Sequence, residues 1–336
     1  MNVEGPQPGY ELIRPRRVVA GPLEARFRLR PGERPLVGPG EAVVRGAPLA
    51  ERIRDPRTAV VASAGGASAK PGSWWTAAPG RRSRGDGAEQ GELLFRSGGR
   101  WRIAAGDPAQ PLEAPFGGIV RDVQPGTGLT LRTPARGLLG LDVLAGPSTG
   151  HLHVLAGRDG HVRASQIDVG AAGAILVVGS HVDAEAITRA RAVGVRGIVV
   201  AGLGVKERRE VVASEQRSQA GAHGLPPFAI LVLEGAIGRP IASPFMAVLE
   251  VLEGRMVAII DEPACLAIED PDLELPRPAP LLVRVTAGPL AGFEGSWAGL
   301  AGRHRFAGNV LLEAGLVRFG GRAPVAVPLG DLERFV

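Results

Sequence analysis

Ala174-Ile-Leu-Val-Val-Gly179, followed by Ser180-His-Val-Asp183 and then by Ala184 to Val193, sets the rhythm from which the fold is read. The first run is short, continuously apolar and ended by glycine, as a strand buried on both faces should be. Ser180 with Asp183 three positions on predicts a helix N-cap and its acidic third residue, so a helix should fill Ala184 to Val193. Arg196-Gly-Ile-Val-Val-Ala201 is a second strand, Val205 to Ala220 a polar helix, and Phe228-Ala-Ile-Leu-Val-Leu233 a third strand. Ser243-Pro244 would be the cap and first position of a last helix reaching Glu253, and Val257 to Ile260 an edge strand. Strands that alternate with helices imply a parallel sheet with crossover helices.

Outward from this block the chain changes character. Upstream, Arg17-Val-Val-Ala20 and Ala25-Arg-Phe-Arg-Leu-Arg30 alternate between Pro/Gly clusters as half-buried strands do. Phe27 and Leu29 should face inward and the arginines outward. Residues 64–107 are rich in Gly, Ser, Ala and Arg and read as a long mobile insertion with a hairpin near Glu92 to Ala104. Downstream, residues 261–280 combine acidic side chains with Pro263, Pro271, Pro276, Pro278 and Pro280, the composition of a stiff extended linker. Short strands return from Leu281 to Val336. The fold class expected is multidomain α+β: a β-rich unit over 1–135, a small α/β unit over 136–260, the linker, and a small β-barrel over 281–336.

Composition bounds the function. The 336 residues include 49 Gly and 29 Pro, 45% are apolar and only 4% aromatic, so the core should be built from Val, Leu, Ile and Ala, and whole-chain disorder is excluded. Net charge is +5, but 1–110 carries 18 basic against 11 acidic residues, 111–280 carries 15 against 19, and 281–336 carries 6 against 4. Basic ends flank an acidic middle. The single cysteine, Cys265, excludes an intrachain disulfide and a cysteine-ligated cluster and suits a reducing, cytoplasmic setting. No run of about 18 apolar residues suggests membrane insertion.

Leu282-Val-Arg-Val-Thr-Ala-Gly288-Pro289-Leu-Ala-Gly292-Phe293-Glu-Gly295-Ser-Trp297 resembles a KOW motif, in which a strand enters a Gly-Pro turn and, after two more glycines, a second strand. With Val310-Leu-Leu and Val325 to Phe335 as later strands, residues 281–336 are similar to the C-terminal domain of the NusG transcription factors. That resemblance implies a small β-barrel that binds RNA, ribosomal proteins or RNA polymerase partners, and it directs attention to Gly288, Pro289, Gly292 and Phe293. A second stretch, Pro35 to Ala50 with Glu113 to Gly126, resembles the barrel-sandwich hybrid of the Rnf complex C subunit. Val43, Val44, Leu49, Ile119 and Val123 would then fill a small core. The chemistry of that group does not carry over, since the chain lacks both its cysteines and a suitably placed carrier lysine.

Candidate chemistry is sparse. Trp74-Trp75 with Arg81, Arg82 and Arg84 combines π faces and guanidinium groups, the materials of single-strand nucleic-acid contact, or else a solvated insertion. Arg303 and Arg305, with His304, Trp297 and Phe306 near them, form a smaller basic and aromatic cluster in the tail. Gly202, Gly204 and Lys206 follow a strand and open a helix, where an anion could be held. His151 and His153 share a strand face, but no third ligand is fixed by spacing, and no metal or cofactor is expected. No nucleophile–base pair is specified. The expectation is a non-enzymatic modular binding protein that engages RNA, the ribosome or the transcription machinery, RNA polymerase included, through the KOW-type domain and the basic N-terminal region. The alternatives are a protein-docking scaffold without nucleic acid and a metabolite-binding sensor or enzyme.

Overall fold

The computed structural model describes residues 8–61, 69–77, 88–220 and 227–336. They are mostly β-sheet, with three α-helices: α1 (Ala184–Val193), α2 (Val205–Ala220) and α3 (Ser243–Val251). A nine-stranded sheet runs in the order Asp142–Ala145, Ala229–Gly235, Gly197–Gly202, Ala174–Val177, Ser148–Val154, Met256–Ile260, Cys265–Ile268, Arg136–Leu139, Val19–Ala20. The four strands from Ser148–Val154 to Ala229–Gly235 are mutually parallel, as the alternation of strand and helix demands. Ile175, Val177, Val199 and Leu231 point to α3, while Leu176, Ile198, Val200 and Ile230 point to α1 and to Val211 of α2. Both faces are therefore dry, which explains apolar runs without alternation.

The caps differ from expectation. Asp183, not Ser180, caps α1, its carboxylate accepting from the Ala186 amide at 2.7 Å. Ser180 lies too far upstream, in a β-bridged loop. At α3 the N-cap is Ala242, and the Ser243 amide donates to Glu294 Oε1 at 2.8 Å. A carboxylate from the distant C-terminal strand thus does what the serine was expected to do.

Two further expectations fail for one reason. Val257–Ile260 is no edge, because Met256–Ile260 lies between Ser148–Val154 and Cys265–Ile268. Cys265–Ile268, expected inside the linker, is a fully buried strand. Burial pushes the Cys265 thiol up to about 12. Only Glu269 onward leaves the sheet. On this antiparallel side, Val257, Ile259, Leu266 and Ile268 face the α3 core, and Ala258, Ile260, Cys265 and Ala267 face the N-terminal unit.

That unit is made of two small sheets around one core: Leu112–Glu113, Pro48–Glu51 and Arg34–Pro35; and Leu23–Arg28, Gly128–Thr133, Gly118–Gln124 and Ala42–Val43. The alternation of Leu23–Arg28 is as read, with Ala25 and Phe27 inside. Val43 and Leu49 are buried, but Val44 and Ile119 are exposed and Val120 takes the inward place. A bulge between Val120 and Asp122 shifts the register there, and a shift of one residue exchanges the two faces of a strand. The expected mobile insertion is in good part a sheet of Ile53–Val61, Arg100–Pro108, Gln90–Ser97 and Trp74–Thr76, with a core of Val61, Leu93, Trp101 and Ile103. Residues 62–68 and 78–87 lie outside the described residues.

The C-terminal strands form a six-stranded sheet in the order Arg14–Arg16, Leu332–Phe335, Leu282–Val285, Glu294–Arg305, Leu311–Arg318, Val325–Pro328. Among the described residues no sheet closes into a barrel; here Arg14–Arg16 adds in parallel to one edge. This sheet is fastened to the α/β unit rather than hung from a strap. Arg284 (2% exposed) and Arg16 flank the buried Glu234 (4%) at 2.5 and 2.6 Å. Arg16 also meets Glu333 at 3.0 Å and stacks its guanidinium 4.5 Å from the Phe245 ring centroid. Further contacts come from Arg284, which donates to Pro240 O at 2.7 Å, and from Glu234 Oε1, which accepts from the Ala242 amide at 3.1 Å.

Burial raises the Glu234 carboxyl and the two arginines lower it by more, so its pKa lies below the ordinary value. A depressed carboxylate stabilises the fold above its unfolded pKa and loses that contribution as pH falls through the folded one. Glu234→Ala should cost about 3–5 kcal/mol in chemical denaturation at neutral pH, because two buried guanidiniums lose their carboxylate. Glu234→Gln should also flatten the acid limb of the stability–pH curve. Cys265 should resist iodoacetamide at pH 8 in the folded protein and react once unfolded.

Candidate functional site

Three places gather the candidate residues. The first is the crevice at the C-terminal ends of the parallel strands, where α/β sheets commonly bind ligands. Beyond Ala174–Val177 the chain turns at Gly179, whose φ of 85° brings it against the Gly160 carbonyl. His161 and His181 stack there with ring centroids 4.3 Å apart and planes 4° from parallel. Ser180 Oγ lies 2.9 Å from Gly160 O and 3.0 Å from His181 Nδ1. A hydroxyl has one proton. With that proton given to Gly160 O, the contact with His181 requires the imidazole to donate, and a donating imidazole is no general base for the serine. His161 Nε2 is 3.8 Å from Asp183 Oδ2, a carboxylate already engaged as the cap of α1.

The neighbouring glycines and lysine assemble differently from expectation. Gly202 sits against the carbonyl of Ile237, and Gly204 against the carboxylate of Glu207 in the first turn of α2. Lys206 is exposed. The chain's own carboxylate thus occupies the end of the helix where an anion would be attracted. His153 Nδ1 lies 3.0 Å from Glu253 Oε1, and His151 Nδ1 lies 3.1 Å from Gly254 O. No group of three or more metal-binding side chains is assembled among the described residues.

The second place is the strand Trp74–Thr76. Both tryptophans are half-buried: Trp75 packs on the core that contains Leu93 and Trp101, and Arg34 lies 5.7 Å from the centre of the Trp74 ring. They are held in the sheet rather than displayed as a stacking platform. Arg81, Arg82 and Arg84 lie outside the described residues.

The third place is the C-terminal hairpin, Glu294–Arg305 with Leu311–Arg318. Gly288 and Pro289 form an exposed turn, and Gly292, with φ of 91°, lets the following chain lie against Arg239 and Pro240. Exposed Phe293 meets Phe319 edge-on at 6.4 Å. Trp297 is buried in the sheet's core, its ring lying where a Gly315 side chain would begin, so it is an anchor and not part of a surface cluster. Register shifts then fall between Trp297 and Gly299 and between Leu300 and Gly302.

Past these bulges the hairpin leaves its core. Leu300, Val310, Leu311 and Leu312 are exposed, beside Arg303 and Arg305. Arg303 pairs with Glu313 at 3.3 Å, Arg305 donates to Asn309 Oδ1 at 2.8 Å, and the His304 ring meets Phe306 at 5.1 Å. Arg303 and Arg305 thus lie on one face of the hairpin opposite Glu313 and Leu311, and four exposed aliphatic side chains lie along the same hairpin. Their signal was present as Val310-Leu-Leu312, a run that reads as an ordinary strand unless the bulge glycines Gly299 and Gly302 are taken as the point where the core ends.

No protein-family model matches the chain, and a search of curated proteins returns no match. No helix of the described residues is long and apolar enough to cross a membrane. From the proton arrangement at Ser180 we expect no covalent labelling of that serine by a fluorophosphonate probe, read by intact mass after prolonged incubation; labelling there would show the hydroxyl to be activated.

Proposed function

We propose that this chain is a non-enzymatic modular binding protein that engages RNA, the ribosome or the transcription machinery through its C-terminal module, read as a KOW-type open barrel. The two small N-terminal sheets are read as a barrel-sandwich-like unit that supports the central sheet. The observation that carries this reading is the hairpin beyond Trp297, where exposed Leu300, Val310, Leu311 and Leu312 accompany Arg303 and Arg305. Leu311 shares the Arg303 and Arg305 face of the ribbon and Leu312 the His304 face, and exposed apolar side chains beside charged ones are characteristic of binding surfaces. In the strand-end crevice, by contrast, Ser180, His181 and Asp183 are engaged within the protein, and only His161 Nε2 among these side chains is left without a hydrogen bond among the described residues.

The mixture also favours a second reading, protein docking without nucleic acid, because Arg303 already shares its charge with Glu313. The buried thiol and the lack of a disulfide partner are compatible with a reducing cytoplasm.

Filter binding of single-stranded RNA at low salt, with wild-type protein and Arg303→Glu/Arg305→Glu, tests the first reading. Retention should fall sharply in the double variant, and log K should drop by about 0.7 per phosphate contact for each decade of salt. Absence of retention excludes direct RNA binding. The docking reading then expects a partner set from nuclease-treated lysate that persists with wild-type protein and is lost with Leu311→Ser/Leu312→Ser.

A further inference from the structure

A cavity of about 290 Å³ lies where Arg52 and the strand Ile53–Val61 meet Trp74, Gln90, Gly91 and Pro111. Two hydrogen-bond donors on its wall are unsatisfied. Arg52 Nε and Trp74 Nε1 are both buried, and among the described residues neither has a partner. Among the described residues the Arg52 guanidinium makes neither an ion pair nor a hydrogen bond, although it is largely withdrawn from water. Burial pushes its pKa below the usual arginine value, and the attraction of Glu33 does not offset this. Glu33 is itself turned to Arg30, accepting from its backbone amide at 2.8 Å and lying 3.4 Å from its guanidinium.

The one carboxylate on the cavity wall among the described residues is also engaged, since Glu51 Oε2 lies 3.1 Å from Arg34 Nε. On its other side Arg52 lines a second cavity of about 370 Å³, together with Arg45, Arg196 and Ser148. Arg45 is paired with Glu269 at 3.2 Å, and the Ser148 hydroxyl donates to the Arg196 carbonyl at 2.6 Å. On the walls of the two cavities the unmet demand is thus concentrated on Arg52 and the Trp74 indole, both donors, while the buried Glu33 Oε1, off those walls, also lacks a hydrogen bond among the described residues.

A half-buried cation without a counterion and a buried indole N–H without an acceptor each cost stability, and one acidic group could relieve both. A guanidinium presents a fork suited to two oxygens of one phosphate or carboxylate. We propose that this cavity binds a small oxyanion ligand, a phosphate- or carboxylate-bearing molecule whose acidic group is held by Arg52 with the Trp74 indole as second donor. The cavity is of the size that encloses a small molecule rather than a chain segment. The site is separate from the C-terminal hairpin, so it stands or falls independently of the partner that the hairpin engages.

The test titrates the full chain with inorganic phosphate and, separately, with malonate, at constant ionic strength maintained by chloride, reading calorimetric Kd and the thermal midpoint. A saturable response to at least one anion is expected, with Kd weakened at least tenfold in both Arg52→Gln and Trp74→Phe. Response to phosphate alone assigns a phosphate-bearing ligand, and response to malonate alone a carboxylate-bearing one. Should Arg52→Gln fail to fold, Arg52→Lys, which keeps the charge and loses the fork, is expected to show the same weakening. No saturable response to either anion, or an equal response in wild type and variants, overturns the proposal.

Discussion

A carboxylate held between two guanidiniums, Arg16–Glu234–Arg284, is the interaction on which the arrangement of the molecule turns. Its three members come from the first described strand, from the end of a central parallel strand, and from the first strand of the C-terminal sheet. Desolvating these groups is expensive, and what offsets it is the set of contacts around them: Glu333, the Pro240 carbonyl, the Ala242 amide and the Phe245 ring all meet the three charges. Such a cluster adds less to stability than its contacts suggest, because an apolar replacement of equal volume would do as well. Its effect is directional. The placement of the C-terminal sheet on α3 pairs all three charges and also brings Glu294 to the open end of α3.

The central alternation was legible because each strand and helix there is defined by its own residues. Helices α1 and α2 have the limits that Asp183, Gly194 and the apolar flanks suggest. What escaped was anything whose cause lies far along the chain. Cys265-Leu-Ala-Ile268 is strand-like by itself but is bracketed by acidic residues and prolines, and averaging over that window hides it; only the waiting edge of Met256–Ile260 makes it a strand. Trp74-Trp75 sits amid glycine, serine and arginine, and its sheet character depends on Gln90–Ser97. The docking of the C-terminal module was invisible for the same reason, since Arg284 reads as one outward arginine of an alternating strand.

The candidate sites follow the same division. The turn at Gly288 and Pro289 and the arginines at the hairpin tip could be found locally. The satisfaction of Ser180 by Gly160, the presence of Glu207 at Gly204 and the loneliness of Arg52 are properties of three-dimensional neighbourhoods. Residue type pointed to an anion site at Gly202, Gly204 and Lys206 and to none at Arg52, and the neighbours found in space favour the reverse.

The pairing of Arg14–Arg16 with Leu332–Phe335 has a consequence for biosynthesis. Arg334 reaches back to the Ile13 carbonyl, 321 positions away. At about 5–20 residues per second of translation, the leading strand would spend roughly 15–60 s with its edge bare before its mate is made. During that interval an exposed ribbon is available to other nascent chains, so a chaperone that shields amino-terminal segments should matter more to this polypeptide than to one assembled from nearby pairings.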